Sequence, residues 1–255
     1  MNIVMNERKY AEGILNGDIA DGGRNKLYTI DVVAKYYRAV GYNDREIKVV
    51  VEKWIREKFP GVSEKYITSW IKRSLDASKK FPLYEIDEII ITKPEMEYIN
   101  SLHSDKVRDR TLRKLAFTVL CFAKFESMRG VKDSWINIER KHIFSAANIK
   151  NITRKKQCFM IYTLYSLGYI DLNPKIENHN IKVLGLKYGD SEITVSNINE
   201  CGYIFEEYNG KKFVHCERCG AMVPVTNGRT KYCSVCAVEV DREKARERMR
   251  KRAKI

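Results

Sequence analysis

Cys216-Glu-Arg-Cys219-Gly220 and Cys233-Ser-Val-Cys236 place two Cys-x-x-Cys pairs thirteen residues apart in a 255-residue chain. Each pair has the spacing at which two thiolates reach one tetrahedral metal ion, and the interval suits a short hairpin. The spacing predicts one Zn²⁺ bound by Cys216, Cys219, Cys233 and Cys236. Disulfides or an iron–sulfur cluster are the alternative uses of the same residues. A segment this short is too small to fold alone, so the ion acts as a staple. Four thiolates leave no open coordination position, which makes the expected role structural and not that of a Lewis acid. His215 directly precedes Cys216 and reads as a neighbour of the site, not a fifth donor.

Seven cysteines, an odd number, fit a reducing compartment better than a secreted disulfide framework, so a cytoplasmic protein is expected. Cys121, Cys158 and Cys201, the three outside the pairs, sit among apolar neighbours and read as core filling. No run of ~18 apolar residues occurs, so no membrane span is expected. The opening Met1-Asn-Ile-Val-Met-Asn-Glu-Arg-Lys meets charges too early for a signal peptide. A formal charge of +14 predicts attraction to polyanions, nucleic acid first and an anionic membrane surface second.

Positive charge is dense after the second cysteine pair. From Glu239 onward there are eight basic and four acidic side chains, without Gly or Pro, which predicts a helix. Arg242, Arg246, Arg250 and Lys254 recur every four residues as one stripe, widened by Lys244, Arg248, Lys251 and Arg252. Glu239, Glu243 and Glu247 each precede an arginine by three residues, so i,i+3 pairs can support the helix. Knuckle, hairpin, then ligands at the start of a helix is the order of treble-clef zinc modules, which residues 214–255 resemble.

Residues 1–80 read as a helical domain. Leu27, Ile30, Val33, Tyr37 and Val40 form one helical stripe, and Ile47, Val50, Val51, Trp54 and Ile55 a second after Asn43 or Asp44 as cap. Ile67, Trp70, Ile71 and Leu75 form a third after Ser63, with both tryptophans assigned to the core. The Gly22-Gly23-Arg24-Asn25 opening and this helix set resemble the helical C-terminal domain of some mobile-element primases. Residues 81–104 read as a connector with a short strand over 85–91, then a helix capped by Thr92. Glu85 and Asp87 would share a strand face, as metal-chelating carboxylates do. With no third carboxylate in a matching motif, no Gly-rich phosphate loop and no Walker lysine, a solvated face is expected and no catalytic residue is assigned.

Residues 105–187 follow the order helix, strand, helix, turn, helix, hairpin, which resembles a winged helix. The resemblance implies that the helix after Thr153 enters a groove, with Lys150, Arg154, Lys155 and Lys156 near its start for phosphate or base-edge contact. At 100° per residue, Cys158, Ile161 and Tyr165 define the buried face, with Arg154 over it. Lys156, Phe159, Met160 and Thr163 are then expected to point outward, and Phe159 with Met160 suits a protein partner. Residues 188–213 read as a short β linker, with Tyr203, Phe205 and Tyr208 alternating before an Asn209-Gly210 turn. Asn227-Gly228 is expected at the tip of the zinc hairpin.

The fold class expected is therefore mainly α (α+β): a helical N-terminal unit, a winged-helix-like middle and a small zinc-bound module with a basic helix. The combination resembles DNA-binding accessory or regulatory proteins of phages and other mobile elements. That resemblance implies nucleic-acid binding, DNA more than RNA, with replication initiation as one setting and no catalysis. An adaptor or inhibitor that docks on a replication or defence protein is the rival expectation, and a metal-dependent nuclease or primase the third. Zinc nucleases of the His-Asn-His type need a histidine after the knuckle, and none follows Cys219.

Overall fold

α1 (Glu7–Asn16), α2 (Lys26–Ala39), α3 (Asp44–Lys58) and α4 (Glu64–Lys80) open the chain in a computed structural model that describes residues 3–17, 26–131, 135–173, 180–228 and 230–252. The side chain of Arg252 lies outside that description, as do Gly22 to Asn25, Lys254 and most of the 173–180 loop. The described residues are mainly helical with three small sheets, and the chain divides into two compact units. Residues 1–89 with 124–134 make the first unit, and residues 90–123 with 135–255 the second.

In the first unit, Ile47, Val51, Trp54 and Ile55 of α3 and Ile67 and Ile71 of α4 close on Ile30, Val33 and Ala34 of α2. Trp70 and Leu75 pack against this core while partly exposed. Asn43 caps α3, its side chain accepting from the amides of Arg45 and Glu46 while the Glu46 carboxylate accepts from the Asn43 amide. α1 was not evident from apolar spacing, and a polar contact holds it in place. Glu7, 2% exposed, accepts from Lys35 Nζ at 2.7 and 3.0 Å, from the Tyr84 amide at 3.0 Å and from the Tyr28 hydroxyl at 3.2 Å. Burial and the Glu7 charge together hold the Tyr28 phenol protonated well above its ordinary range. The Lys35 ammonium and the Arg129 guanidinium both lie over the Tyr84 ring, 4.8 and 4.6 Å from its centroid.

The expected strand over 85–91 is shorter: β1 spans Ile89–Thr92, and Glu85 makes an isolated bridge to Asn6. Glu85 pairs with Arg8 at 2.9 Å and Asp87 with Lys9 at 2.7 Å, contacts that hold both carboxyls below their usual range. Neither residue lies in β1, so the expected shared strand face is not formed; both carboxylates pair with cations of α1 instead.

The second unit forms around α6 (Asp109–Met128), in which residues 114–123 are buried on every side. α5 (Lys93–Ser101) precedes it, and the Glu95 carboxylate reaches back to the Thr92 amide at 2.8 Å. β2 (Trp135–Ile136), α7 (Arg140–Ala146), α8 (Arg154–Ser166), β3 (Ile170–Leu172) and β4 (Ile181–Val183) follow. β2, β4 and β3 form an antiparallel sheet in that order, with Ile136 opposite Ile181 and Ile170 opposite Val183. Asn148 and Asn151 take left-handed backbone angles, φ 49° and 57°, to turn the chain between α7 and α8. Tyr169 is fully buried, and its hydroxyl donates to the Ala116 carbonyl at 3.3 Å.

β5 (Ser191–Val195) pairs with β1, and a 3₁₀ turn at Ile198–Glu200 leads into α9 (Cys201–Tyr208). α9 overturns the reading of Tyr203, Phe205 and Tyr208 as β: they lie on a helix, and Asn209-Gly210 ends it, with Gly210 at φ 85°. α9 approaches the 147–148 turn main chain to main chain, where a Cβ on Gly202 would meet the Ala147 carbonyl oxygen at 2.2 Å. Beside that contact, Lys114, 8% exposed, pairs with Glu206 at 2.7 Å, as does Lys211. Burial opposes ionisation of Glu206, and the two lysines outweigh it, leaving its carboxyl below the usual range.

The Glu7–Lys35 pair yields the first prediction. Lys35→Met should strand a buried carboxylate and destabilise the first unit by about 3–5 kcal/mol, while the Glu7→Gln/Lys35→Met double variant should lose less. Urea unfolding followed by tryptophan fluorescence measures both, since Trp54 and Trp70 lie in this unit.

Candidate metal centre

β6 (Phe213–His215) and β7 (Met222–Pro224) pair antiparallel with His215 opposite Met222, so the first cysteine pair occupies the connection between them. The Cys216 amide donates to the Ala221 carbonyl at 2.9 Å, and the Gly220 amide to the Cys216 carbonyl at 2.8 Å. Gly220 sits at φ 71°, a left-handed conformation that this tight turn requires and glycine adopts without strain. The second pair is fixed by a helix start: Cys233 immediately precedes α10 (Ser234–Arg252), and Cys236 lies in its first turn. The Cys236 amide faces the Cys233 sulfur at 3.4 Å. Asn227-Gly228 is not the hairpin tip; it lies between β7 and the second pair, where the Thr230 hydroxyl donates to the Asn227 carbonyl at 3.0 Å.

These elements bring the four sulfurs within 4.8 Å of one another. Cys219 Sγ and Cys233 Sγ are 3.8 Å apart. A tetrahedron with metal–sulfur bonds of ~2.3 Å has sulfur–sulfur edges of ~3.8 Å, so the donor set fits one metal ion. Cys216 and Cys236 are buried, Cys233 is half-buried and Cys219 exposed. Backbone N–H groups, that of Cys233 foremost, hold the Cys216 thiol down at about 6, whereas burial pushes Cys236 up to about 12. A bound cation favours the thiolate at every position and removes that disparity. His215 turns its Nδ1 to the Gly220 carbonyl at 3.0 Å and lies outside the sulfur cluster.

α10 is exposed at every position from Asp241 to Lys251. Its acidic residues do not pair as spacing alone predicted. Glu243 accepts from Arg218 of the knuckle at 2.8 and 3.0 Å, Glu239 lies 3.7 Å from the same guanidinium, and Glu247 pairs with Lys251 at 2.8 Å. Among the described residues, Arg242, Arg246, Arg248 and Arg250 form no ion pair, and all four are exposed. Arg252 closes the helix.

On α8 the structure redraws the predicted faces. The buried side chains are Met160, Ile161, Thr163 and Leu164, while Tyr165 is 43% exposed and Cys158 half-buried. Met160, 2% exposed, belongs to the core and cannot meet a partner, and Arg154 is exposed, not laid over the buried face. Phe159 does face outward, joined by Tyr162 and Tyr165. Lys150, Lys155 and Lys156 are exposed, and α8 contains no acidic residue. Lys106 and Arg108, which sequence reasoning left out, come close to Lys150 and Lys156 only through the fold. No helix is long and apolar enough to cross a membrane among the described residues.

No protein-family model matches the chain, and neither a curated protein nor a solved structure does so significantly.

A metal in this site is expected to be necessary for the fold around it. Cys233→Ser should lower metal content and unfold residues 213–252, and acidification should release the ion as thiolates take up protons. Elemental analysis of reduced protein, with hydrogen exchange across the same residues, reads both effects.

Proposed function

We propose that this chain is a nucleic-acid-binding protein, an accessory or regulatory DNA-binding protein of the kind encoded by phages and mobile elements, and that its cysteine cluster holds one structural Zn²⁺. The observation that carries the reading is α10, a helix that begins at the sulfur cluster, is exposed from Asp241 to Lys251 and holds four arginines that form no salt bridge among the described residues. From Asp241 on the helix is exposed on all sides and gains nothing from packing, so its charge is available to phosphates. Four thiolates with no open position suit zinc as a staple that orients this helix. The helix–strand–helix–turn–helix–hairpin order and the β2-β4-β3 sheet support a winged-helix reading of residues 105–187. Glu85 and Asp87, each ion-paired, support a binding role over catalysis. A cytoplasmic location fits the reduced thiols.

The tail tests the proposal. Each neutralised phosphate contributes about 0.9 to the slope of log K against log salt on duplex DNA, and roughly four contacts from α10 give a slope of about −3 to −4. Removing residues 241–255 keeps all four cysteines, so the slope should shrink by that amount while metal content stays constant. An unchanged slope for the truncated protein, measured by anisotropy between ~50 and ~200 mM salt, would sink the assignment to α10.

A further inference from the structure

The starts of α6 and α8 and the turn before α8 enclose a concave surface of 590 Å³, within the range of ~300–1,000 Å³ typical of small-ligand sites. Lys106, Arg108, Lys150 and Lys156 line it, and no carboxylate does so among the described residues. None of the four forms an ion pair among the described residues, and all are exposed. The apolar part is Val107, Ile149, Ile152, Met160 and the ring of Phe159, which is 42% exposed. Beyond Phe159, the exposed surface of α8 continues with Tyr162, 60% exposed, and Tyr165, their rings 5.9 Å apart.

A cleft with cations and one open aromatic face matches a nucleotide in a single strand: phosphate against the cations, base stacked on the ring. A duplex keeps its bases stacked on one another and offers no free base face to Phe159, whereas a single strand does. We propose that this cleft binds single-stranded nucleic acid, with Phe159 as the base-stacking residue and Lys106, Arg108, Lys150 and Lys156 as the phosphate contacts. This rests on the nucleic-acid reading above and adds strand preference to it. The exposed position of Phe159 makes its substitution compatible with folding.

The test uses the full-length protein with a fluorescein-labelled oligothymidylate of about 12 nucleotides and a matched duplex. Phe159→Ala should weaken single-strand binding about tenfold and leave the salt slope unchanged, with duplex affinity altered less than about twofold. Lys150→Ala/Lys156→Ala should instead lower the single-strand slope by about 1.4, at ~0.7 per lost phosphate contact. Phe159→Trp should keep the affinity and show indole quenching by the oligonucleotide beyond that of the wild type. Wild-type affinity in Phe159→Ala together with no added quenching in Phe159→Trp would overturn the cleft while leaving nucleic-acid binding by α10 intact. Loss of self-association in Phe159→Ala, with oligonucleotide binding unchanged, would also overturn it and assign the surface to a protein contact. Binding of neither oligonucleotide by the full-length protein would sink the underlying reading itself.

Discussion

Beyond Tyr208, the buried apolar side chains among the described residues are Cys216, Met222 and Cys236. Two of these three are metal-ligand candidates, so the segment has almost no core apart from its sulfurs. Conformational entropy of ~1–2 kcal/mol per ordered residue cannot be offset by one methionine and a two-stranded hairpin. Convergence of four thiols therefore decides whether β6, β7 and the start of α10 exist as a unit. The two upstream cores stand on different terms, with apolar packing around α2 and around α6.

The same poverty of apolar surface explains the electrostatics of α10. With no side to bury, the helix is held at its beginning, where Cys236 joins the cluster and Arg218 binds Glu239 and Glu243. Acidic residues are thereby consumed near the knuckle, and the far turns are left with excess positive charge. Cations also suit the C-terminal end of a helix dipole, so local stability and attraction to a polyanion favour the same arrangement.

The three helices between 26 and 80 were legible because Ile, Val and Trp recur at 3.6-residue spacing between capping and stop residues. The cysteine cluster was legible because paired Cys-x-x-Cys spacing encodes its own geometry. α1 was not, since its buried Glu7 looks like a surface residue until Lys35, nearly thirty positions away, is beside it. On α9, aromatic residues suggested strand, and the same left-handed preference that makes Asn209-Gly210 a hairpin signal also makes it a helix stop. On α8, a wheel anchored on Cys158 and Tyr165 was rotated from the true face, because tyrosine tolerates exposure and Met160 fills the core. Lys106 and Arg108 carried no local signal at all; tertiary proximity alone sets them beside Lys150.

The close approach of Gly202 to the Ala147 carbonyl bears on how this chain can change over time. A contact built from main chain has no side-chain identity, so neighbouring residues can drift in size and polarity while the turn that carries Ile149 and Lys150 keeps its position. Any side chain at 202 would meet backbone, which cannot rotate away, and would have to push α9 off the turn. Mutational tolerance should be close to nil at Gly202, while the turn itself is limited separately by the left-handed angles of Asn148 and Asn151.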